Sequence, residues 1–568
     1  MTNPNTSFTT SHFNQSGNLT IDPLLNESST KWGGIQGTGV NMTYSFPWTS
    51  FYYAYWQQPV YNPPYNEPEA TKHFGFNTMQ MKSVKDALQA WSNVANVNFT
   101  QVYETTTEVG DFRFAFSSAL PDTAWGWSQY PNSANASAAD VWVNPEFNND
   151  PNWLIGSTHF ENLLHEIGHG LGLKHPGNYG GSPAPYLSSA LDFRNYTLMS
   201  YNEPVRGFYW DASKGSSAWV FRETPMVYDI QAIQYLYGAN NSYHTGDDVY
   251  KFDPSTPFYK TIWDAGGVDT IDISNYSLDS IISLIPGSYS KVSFYSQPPG
   301  DTQAWYDGTN ALGIAFGAAI ENANGGFGSD ILTGNNADNA LNGGDGSDQL
   351  YGGLGNDTFD WESNLRGGND TMYGGLGDDT YVADSLDTVI EYSGEGVDTV
   401  WASESFIIGS FSYVENLYLF GDKSINATGN EVANGLKGND QDNILVGNAG
   451  DDDLDGGAGN DQLYGGTGND ILRAGYNHDT LNGSTGNDTF GFYALGHFQV
   501  SDFTVGEDRL FFDSSKIGVN NLHDLVGHIT NINQKIDGVT VEFGSDASIE
   551  LVGINLNQIT ADMVVFTL

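Results

Sequence analysis

The stretch GNAGDDDLD-GGAGNDQLY-GGTGNDILR, residues 447–473, decides how the second half of the chain folds, because it reads the same way every nine residues. Continued in the same register it gives GNEVANGLK and GNDQDNILV before it and AGYNHDTLN and GSTGNDTFG after it, so seven units fill 429–491 without a slip. An earlier array starts at Gly325 with GGFGSDILT, GNNADNALN, GGDGSDQLY and GGLGNDTFD, and resumes after a short interruption as LRGGNDTMY and GGLGDDTYV. A disordered Gly/Asp linker would share the charge and the low aromatic content, but not an apolar residue at every eighth place of nine (Leu332, Leu350, Leu463, Leu472).

Such a unit predicts a parallel β-roll that binds calcium. The glycines allow tight turns and close approach of carbonyls. The sixth-place aspartate supplies a hard oxygen to Ca²⁺ between successive coils, and the eighth-place residue fills a thin core. The calcium candidates of the arrays are Gly326, Gly328, Asp330, Gly343, Gly344, Asp345, Gly346, Asp348, Gly353, Gly355, Asp357, Asp370 and Asp379, then Asp452, Asp461, Asp470, Asp479 and Asp488, with Glu321 just ahead of the first array. With 20 basic against 68 acidic residues the formal charge is −48, which excludes nucleic acid and anionic membrane surfaces as partners. Calcium resolves that excess: without it the stacked aspartates repel, and with it the ladder is neutralised and folds.

The chain of 568 residues is too long for one core. It has no cysteine, which excludes disulfides, thiolate zinc sites and a cysteine nucleophile. The start MTNPNTSFTTSHFNQSG lacks the basic and apolar regions of a signal peptide, and no window approaches the ~18 apolar residues of a spanning helix.

Up to about Gly238 the texture is aromatic and mixed. In MKSVKDALQAWSNVANV, Met81, Val84, Ala87, Leu88, Trp91, Val94 and Ala95 fall at helical spacing, predicting a helix over a sheet. GDFRFAFS alternates Phe112, Phe114 and Phe116, predicting a half-buried strand, and ADVWVN predicts another. The element that carries chemistry is THFENLLHEIGHGLGLKH, residues 158–175. Thr158 and Glu161 have capping-box spacing, predicting a helix start at Thr158. His165 and His169 lie one turn apart on one face, where two imidazoles grip one metal, and Glu166 beside them can take a proton from a bound water. Gly172 permits the reversal that returns His175 as a third ligand. Three histidines leave a position for water, the mark of a catalytic zinc site. The full HExxHxxGxxH pattern is far more specific than HExxH, and it predicts a methionine turn beneath the metal; YTLMSYN supplies Met199, 24 residues beyond His175.

On these residues the chain resembles the metzincin zinc proteases, and among them the serralysin family of secreted bacterial metalloproteases. The likeness rests on HEIGHGLGLKHPG, MSY at 199–201, YDIQAIQYLYGAN at 228–240, WDAGGVDTIDIS from Trp263, and the arrays. It implies one catalytic Zn²⁺, a zinc endopeptidase with Glu166 as general base, and Tyr201 as a switchable zinc ligand that stabilises the oxyanion. It further implies a calcium site at the domain junction from His244, Gly246, Asp248, Asp264, Gly266, Gly267 and Asp269. The family usually has arginine and threonine where this chain has His244 and Asp248. In metzincins an edge strand aligns an extended polypeptide substrate; GDFRFAFS is expected to be that strand, and broad specificity follows. Export through a type I exporter, read from the ending DMVVFTL, implies an extracellular location and calcium-driven folding outside the cell. A monomer without membrane insertion is expected.

The fold class expected is a mixed α/β metzincin catalytic domain followed by an all-β parallel β-roll with a sandwich-like end. The expected boundaries are a propeptide over 1–18, the zinc domain over 19–244, junction strands over 245–324, a first roll over 325–386, bridging strands over 387–428, a second roll over 429–491, and carboxyl-terminal strands with the secretion signal over 492–568. Two other readings are an inactive calcium-dependent adhesin, against which the intact Glu166 and three histidines speak, and a lipase, for which no GxSxG elbow precedes the arrays.

Overall fold

The computed structural model describes residues 9–49, 73–105, 109–118, 124–135, 137–179, 181, 183–298, 300–360, 367–409 and 413–568. Residues 1–8 of the expected propeptide and 365–366 of the unit LRGGNDTMY lie outside them. The chain forms two compact units, Met1–Ile320 and Glu321–Leu568.

Among the described residues of the first unit three α-helices accompany a mixed sheet. Its strands run in the order Val97–Gln101, Val40–Ser45, Phe112–Ser117, Val141–Val143 and Gly126–Ser128, with His73–Gly75 antiparallel to Phe112–Ser117. Helix α1 (Thr78–Val94) begins with a capping box between Asn77 and Gln80 and buries Val84, Ala87, Leu88, Trp91 and Val94. Helix α2 (Thr158–Leu171) lies against it, with the Trp91 indole donating to the Leu164 carbonyl at 3.2 Å. Helix α3 spans Val227–Tyr237.

Two expectations are corrected here. Phe112–Ser117 is not an edge strand and not half-buried: it sits inside the sheet with all six residues buried. Its polar member Arg113 is tolerated because Glu104 receives it through two bonds, at 2.8 and 2.7 Å. Among the described residues the end strands are Val97–Gln101 and Gly126–Ser128, the latter antiparallel to Val141–Val143. The start of α2 is capped by Ser157, whose hydroxyl accepts from Phe160 N, and Glu161 turns inward to two arginines instead of back to the cap.

The second unit is a parallel β-solenoid. Pairing shifts by 18 residues where the units run on without interruption, as in Leu332↔Leu350 and Leu445↔Leu463, so two nine-residue units make one coil; across the interruption of the first array it shifts by 22, as in Leu350↔Met372. One sheet runs unbroken from Asn322–Asn324 to Val564–Val565. The opposite face is two sheets: one ends at Thr388–Ile390 and the next starts at Phe406–Ile407. Thr399–Ala402 and Asn416–Leu419, in the expected bridge, continue the coiling in register with Thr380–Ala383 and Gly435–Lys437. The core is the column of eighth-place residues, with Leu332, Leu341, Leu350, Leu454, Leu463 and Leu472 all fully buried. Among the described residues no helix is long and apolar enough to cross a membrane.

Candidate metal centre

Helix α2 is buried along nearly its whole length, which is unusual for a segment carrying five ionisable side chains and requires each to have a partner or a purpose. His165 Nδ1 lies 2.8 Å from the Leu198 carbonyl and His169 Nδ1 lies 2.7 Å from the Leu173 carbonyl. Both bonds place the ring proton on Nδ1 and leave Nε2 as a bare lone pair. Gly172 ends the helix at φ 114°, a left-handed conformation that costs a side-chain-bearing residue roughly 1–2 kcal/mol, and the chain turns back on itself there. The turn brings His175 Nε2 to 3.1 Å from His165 Nε2 and 3.0 Å from His169 Nε2.

Two of the three nitrogens are bare acceptors, and a cation among them satisfies both together with the His175 nitrogen. Zn–N bonds of 2.0–2.1 Å in tetrahedral arrangement separate ligands by about 3.3–3.4 Å, so the trio fits zinc after a small expansion. Burial, with the His169 imidazole and the Lys174 and Arg194 cations, pushes His175 down to about 2, and burial pushes His169 down to about 4, so the nitrogens stay unprotonated and available. Met199 is fully buried under α2, its sulfur 3.0 Å from where a Cβ on Gly168 would stand.

Glu166 is 8% exposed, and burial pushes its carboxyl up to about 8 against an opposing hydrogen bond from the Ser128 backbone. Its carboxylate lies alongside the edge strand, 3.6 Å from a Cβ placed on Gly126. Tyr201 is 52% exposed, with its ring centred 4.3 Å from the His175 ring. It is held by Tyr179, whose ring lies 4.9 Å away and whose hydroxyl accepts from Tyr201 N at 3.2 Å; Tyr179 in turn donates to Asp192.

Sequence reasoning missed the groups that fix this frame. Asp229, the third residue of α3, accepts from Met226 N at 2.9 Å, Leu198 N at 2.7 Å and the Thr197 hydroxyl at 2.6 Å. It therefore caps α3 and holds the methionine turn whose Leu198 carbonyl orients His165. Burial pushes Asp229 up to about 6. Glu161 is shared by Arg194 at 2.5 Å and Arg222 at 3.3 Å, and both arginines also reach Glu203. An acidic residue three places into an apolar helix is the available signal for Asp229; for the arginines the sequence offers none.

The junction residues lie in the first unit. His244, Asp248 and Asp264 place one ligand atom each within 4.8 Å of one another. His244 Nδ1 is 2.7 Å from Asp248 Oδ2, and Asp269 Oδ1 accepts from Asp248 N at 2.7 Å. Asp264 accepts from Gly266 N at 2.9 Å and from the Tyr250 hydroxyl at 2.5 Å. Gly267 presses on the Gly246 carbonyl so closely that a Cβ would overlap it.

In the solenoid each sixth-place carboxylate uses one oxygen to accept the backbone N–H of its counterpart on the preceding coil. Asp330 N donates to Asp348, Asp357 N to Asp379, Asp452 N to Asp470, Asp461 N to Asp479 and Asp470 N to Asp488, all at 2.6–2.9 Å. Asp348 N likewise reaches Asp370 at 2.8 Å. The other oxygen, Oδ2, is buried without a hydrogen bond in Asp348, Asp357, Asp379, Asp452, Asp461, Asp470 and Asp479. Gly326 N donates to Asp330, Asp345 N donates to the Gly326 carbonyl, and Gly344 and Gly346 press on the Gly326 and Gly328 carbonyls. Gly343 lies against the Asp348 carboxylate, and Gly353 and Gly355 approach the coil before them in the same way. Burial, reinforced by adjacent carboxylates, pushes Asp348 and Asp357 up to about 8 and Asp452 and Asp461 up to about 7. Orphaned carboxylate oxygens beside close carbonyls fit calcium.

Three units carry asparagine at the sixth place, and there the side chain behaves differently. The Asn339 amide donates to the Glu321 carbonyl at 2.8 Å, Asn434 to the Val414 carbonyl at 3.1 Å and Asn443 to the Ile425 carbonyl at 2.6 Å.

Comparison with known proteins places these features together. Residues 68–194 match the family model described as Matrixin, 228–400 match Peptidase M10 serralysin C terminal, and 427–463, 437–472 and 456–490 match the RTX calcium-binding nonapeptide repeat. Serralysin of Proteus mirabilis is 33% identical over 365 residues, covering 56% of this chain and 64% of that protein. Serralysin G of Dickeya chrysanthemi is 33% identical over 341 residues, with the same shares. A serralysin C of Dickeya chrysanthemi is 33% identical over 355 residues, covering 56% of this chain and 67% of that protein. The match thus spans about two thirds of the length of these relatives.

Proposed function

Since the chain belongs to the serralysin family of M10 peptidases, we propose that it is a zinc endopeptidase that cleaves extended polypeptides with broad specificity. The observation that carries this reading is the convergence of three histidine Nε2 atoms, with His175 at 3.0–3.1 Å from the other two, beside a buried glutamate. His165, His169 and His175 would hold the ion. When bound, zinc supplies a Lewis acid and lowers the pKa of a coordinated water. Glu166, buried beside the three histidines, accepts the proton of the attacking water and delivers it to the leaving amine. The Tyr201 hydroxyl donates to the oxyanion that develops on the substrate. Gly126–Ser128, at the edge of the sheet and alongside Glu166, pairs with the substrate backbone, so recognition runs through the main chain and tolerates many side chains.

Calcium held by the solenoid aspartates and the His244–Asp248–Asp264 group stabilises the fold. The protein acts outside the cell after export through a type I exporter, and the calcium-poor cytosol keeps the solenoid unfolded for passage. The test is Glu166→Gln: it is expected to retain one zinc per chain while casein hydrolysis falls by about 10²–10⁴-fold or more. Hydrolysis at the wild-type rate in that variant, or wild-type activity that survives a zinc chelator, overturns the proposal.

A further inference from the structure

The solenoid crosses residues 387–428 with one glycine-bearing unit of the nine-residue pattern, SGEGVDTVW at 393–401, and the coil that carries it gathers three carboxylates. The pairing Tyr373↔Ile390 sets Glu391 opposite Gly374, the first residue of the turn GGLGDD, and Thr380↔Thr399 sets Asp398 opposite Asp379. The turn from Glu391 to Asp398 is two residues longer than the one from Gly374 to Asp379, and it carries a carboxylate where the repeat has a glycine. Glu391 is 0% exposed, and Asp379 and Asp398 are each 1% exposed. One oxygen from each of the three lies within 4.8 Å of the others.

The donors around this cluster are too few. Glu391 Oε1 accepts from the Tyr381 hydroxyl, Asp379 Oδ1 from Asp357 N at 2.7 Å, and Asp398 Oδ1 from Asp379 N at 2.8 Å. Glu391 Oε2 and Asp379 Oδ2 are buried with no hydrogen bond at all. Leaving such an oxygen dry and unpaired costs about 1–3 kcal/mol or more, so something must face it. Gly374 leaves room for this: a Cβ there would overlap Tyr381 Oη, Asp379 Oδ2 and Glu391 Oε1 together.

We infer that Asp379, Glu391 and Asp398 together form a calcium site in the bridging coil, in which Glu391 is a ligand that the repeat pattern does not encode. Calcium takes 6–8 oxygens at 2.3–2.6 Å, so ligands on opposite sides stand about 4.6–5.2 Å apart, a span this cluster accommodates. Magnesium, at 2.0–2.1 Å, would require the oxygens to close to about 4.2 Å or less, and the site offers no nitrogen or sulfur to favour zinc. The competing arrangement is a set of carboxylic acids sharing protons with no ion.

Bound calcium per full-length chain, measured by equilibrium dialysis with radioactive calcium, separates the two. Glu391→Gln is expected to bind one ion fewer than the wild type, while Glu404→Gln, on an exposed turn nearby, keeps the full number. Equal numbers for the wild type and Glu391→Gln, or the same loss in both variants, overturns the site. If Glu391→Gln does not fold, wild-type crystals soaked in terbium decide the matter. An anomalous peak between the three carboxylates is expected, and its absence there refutes the assignment.

Discussion

Stripping calcium from the protein and then lowering the pH is expected to restore solenoid structure rather than destroy it. Asp452 and Asp461 are each 1% exposed and are pushed from the ordinary 3.8 up to about 7 by burial. A folded-state value above the unfolded one means the folded state holds the proton more tightly. Each group therefore carries no penalty below about pH 3.8, and the penalty grows as pH rises until the folded value is passed. Three units at about 1.4 kcal/mol each make roughly 4 kcal/mol per carboxylate at and above pH 7. Two or three such groups match the whole 5–15 kcal/mol stability of an ordinary domain. Calcium removes the penalty by pairing the ionised form. Far-UV circular dichroism of the full chain, stripped on a chelating resin, is the assay. Strand signal should be low at pH 8 and rise as pH falls through 7 to 5, while the calcium-loaded protein stays flat. A stripped protein that keeps its full strand signal at pH 8, or loses signal on the way to pH 5, refutes the reasoning.

Three further outcomes follow from the frame around the metal centre and from the solenoid. Asp229→Asn weakens the hold on the Leu198 N–H, and so on the turn whose carbonyl orients His165, and should lower zinc affinity about 10–100-fold, as seen by competition with a fluorescent chelator; unchanged affinity would remove Asp229 from the frame. Gly172→Ala forces a side chain into φ 114° and against Asn26 Nδ2 at 3.0 Å, so calorimetry should show a loss of about 1–2 kcal/mol or more. Asn443→Leu removes the donor to the Ile425 carbonyl and should cost about 1–3 kcal/mol in urea unfolding with calcium saturating. Stability equal to wild type would show that the amide is dispensable.

What could be read in advance divides by the range of the interaction. Helix α2, its glycine stop and the returning His175 follow from spacing within 18 residues, and the roll follows from a nine-residue period. What escaped depends on partners far away along the chain. Ser157 outcompetes Thr158 as cap because Glu161 is drawn 33 and 61 residues away to Arg194 and Arg222. The alternation in Phe112–Ser117 looked half-buried because Arg113 reads as polar, and only Glu104 makes its burial tolerable. The bridge keeps the repeat only in SGEGVDTVW at 393–401, so its coils had to be seen in the pairing of Thr399–Ala402 and Asn416–Leu419.

The asparagine rungs have a consequence for how calcium is taken up. At Asn434 and Asn443 the coil-to-coil contact is closed by an amide, so this part of the stack has no ion with which to pass on a binding signal. A stack in which each coil senses only its neighbours behaves as a one-dimensional lattice, and a rung that does not bind divides the lattice. The aspartates from Asp330 to Asp398 and those from Asp452 to Asp488 then form separate cooperative blocks. The calcium isotherm of this chain should show two steep transitions, each with the slope of a short array, instead of one transition with the slope of the whole solenoid.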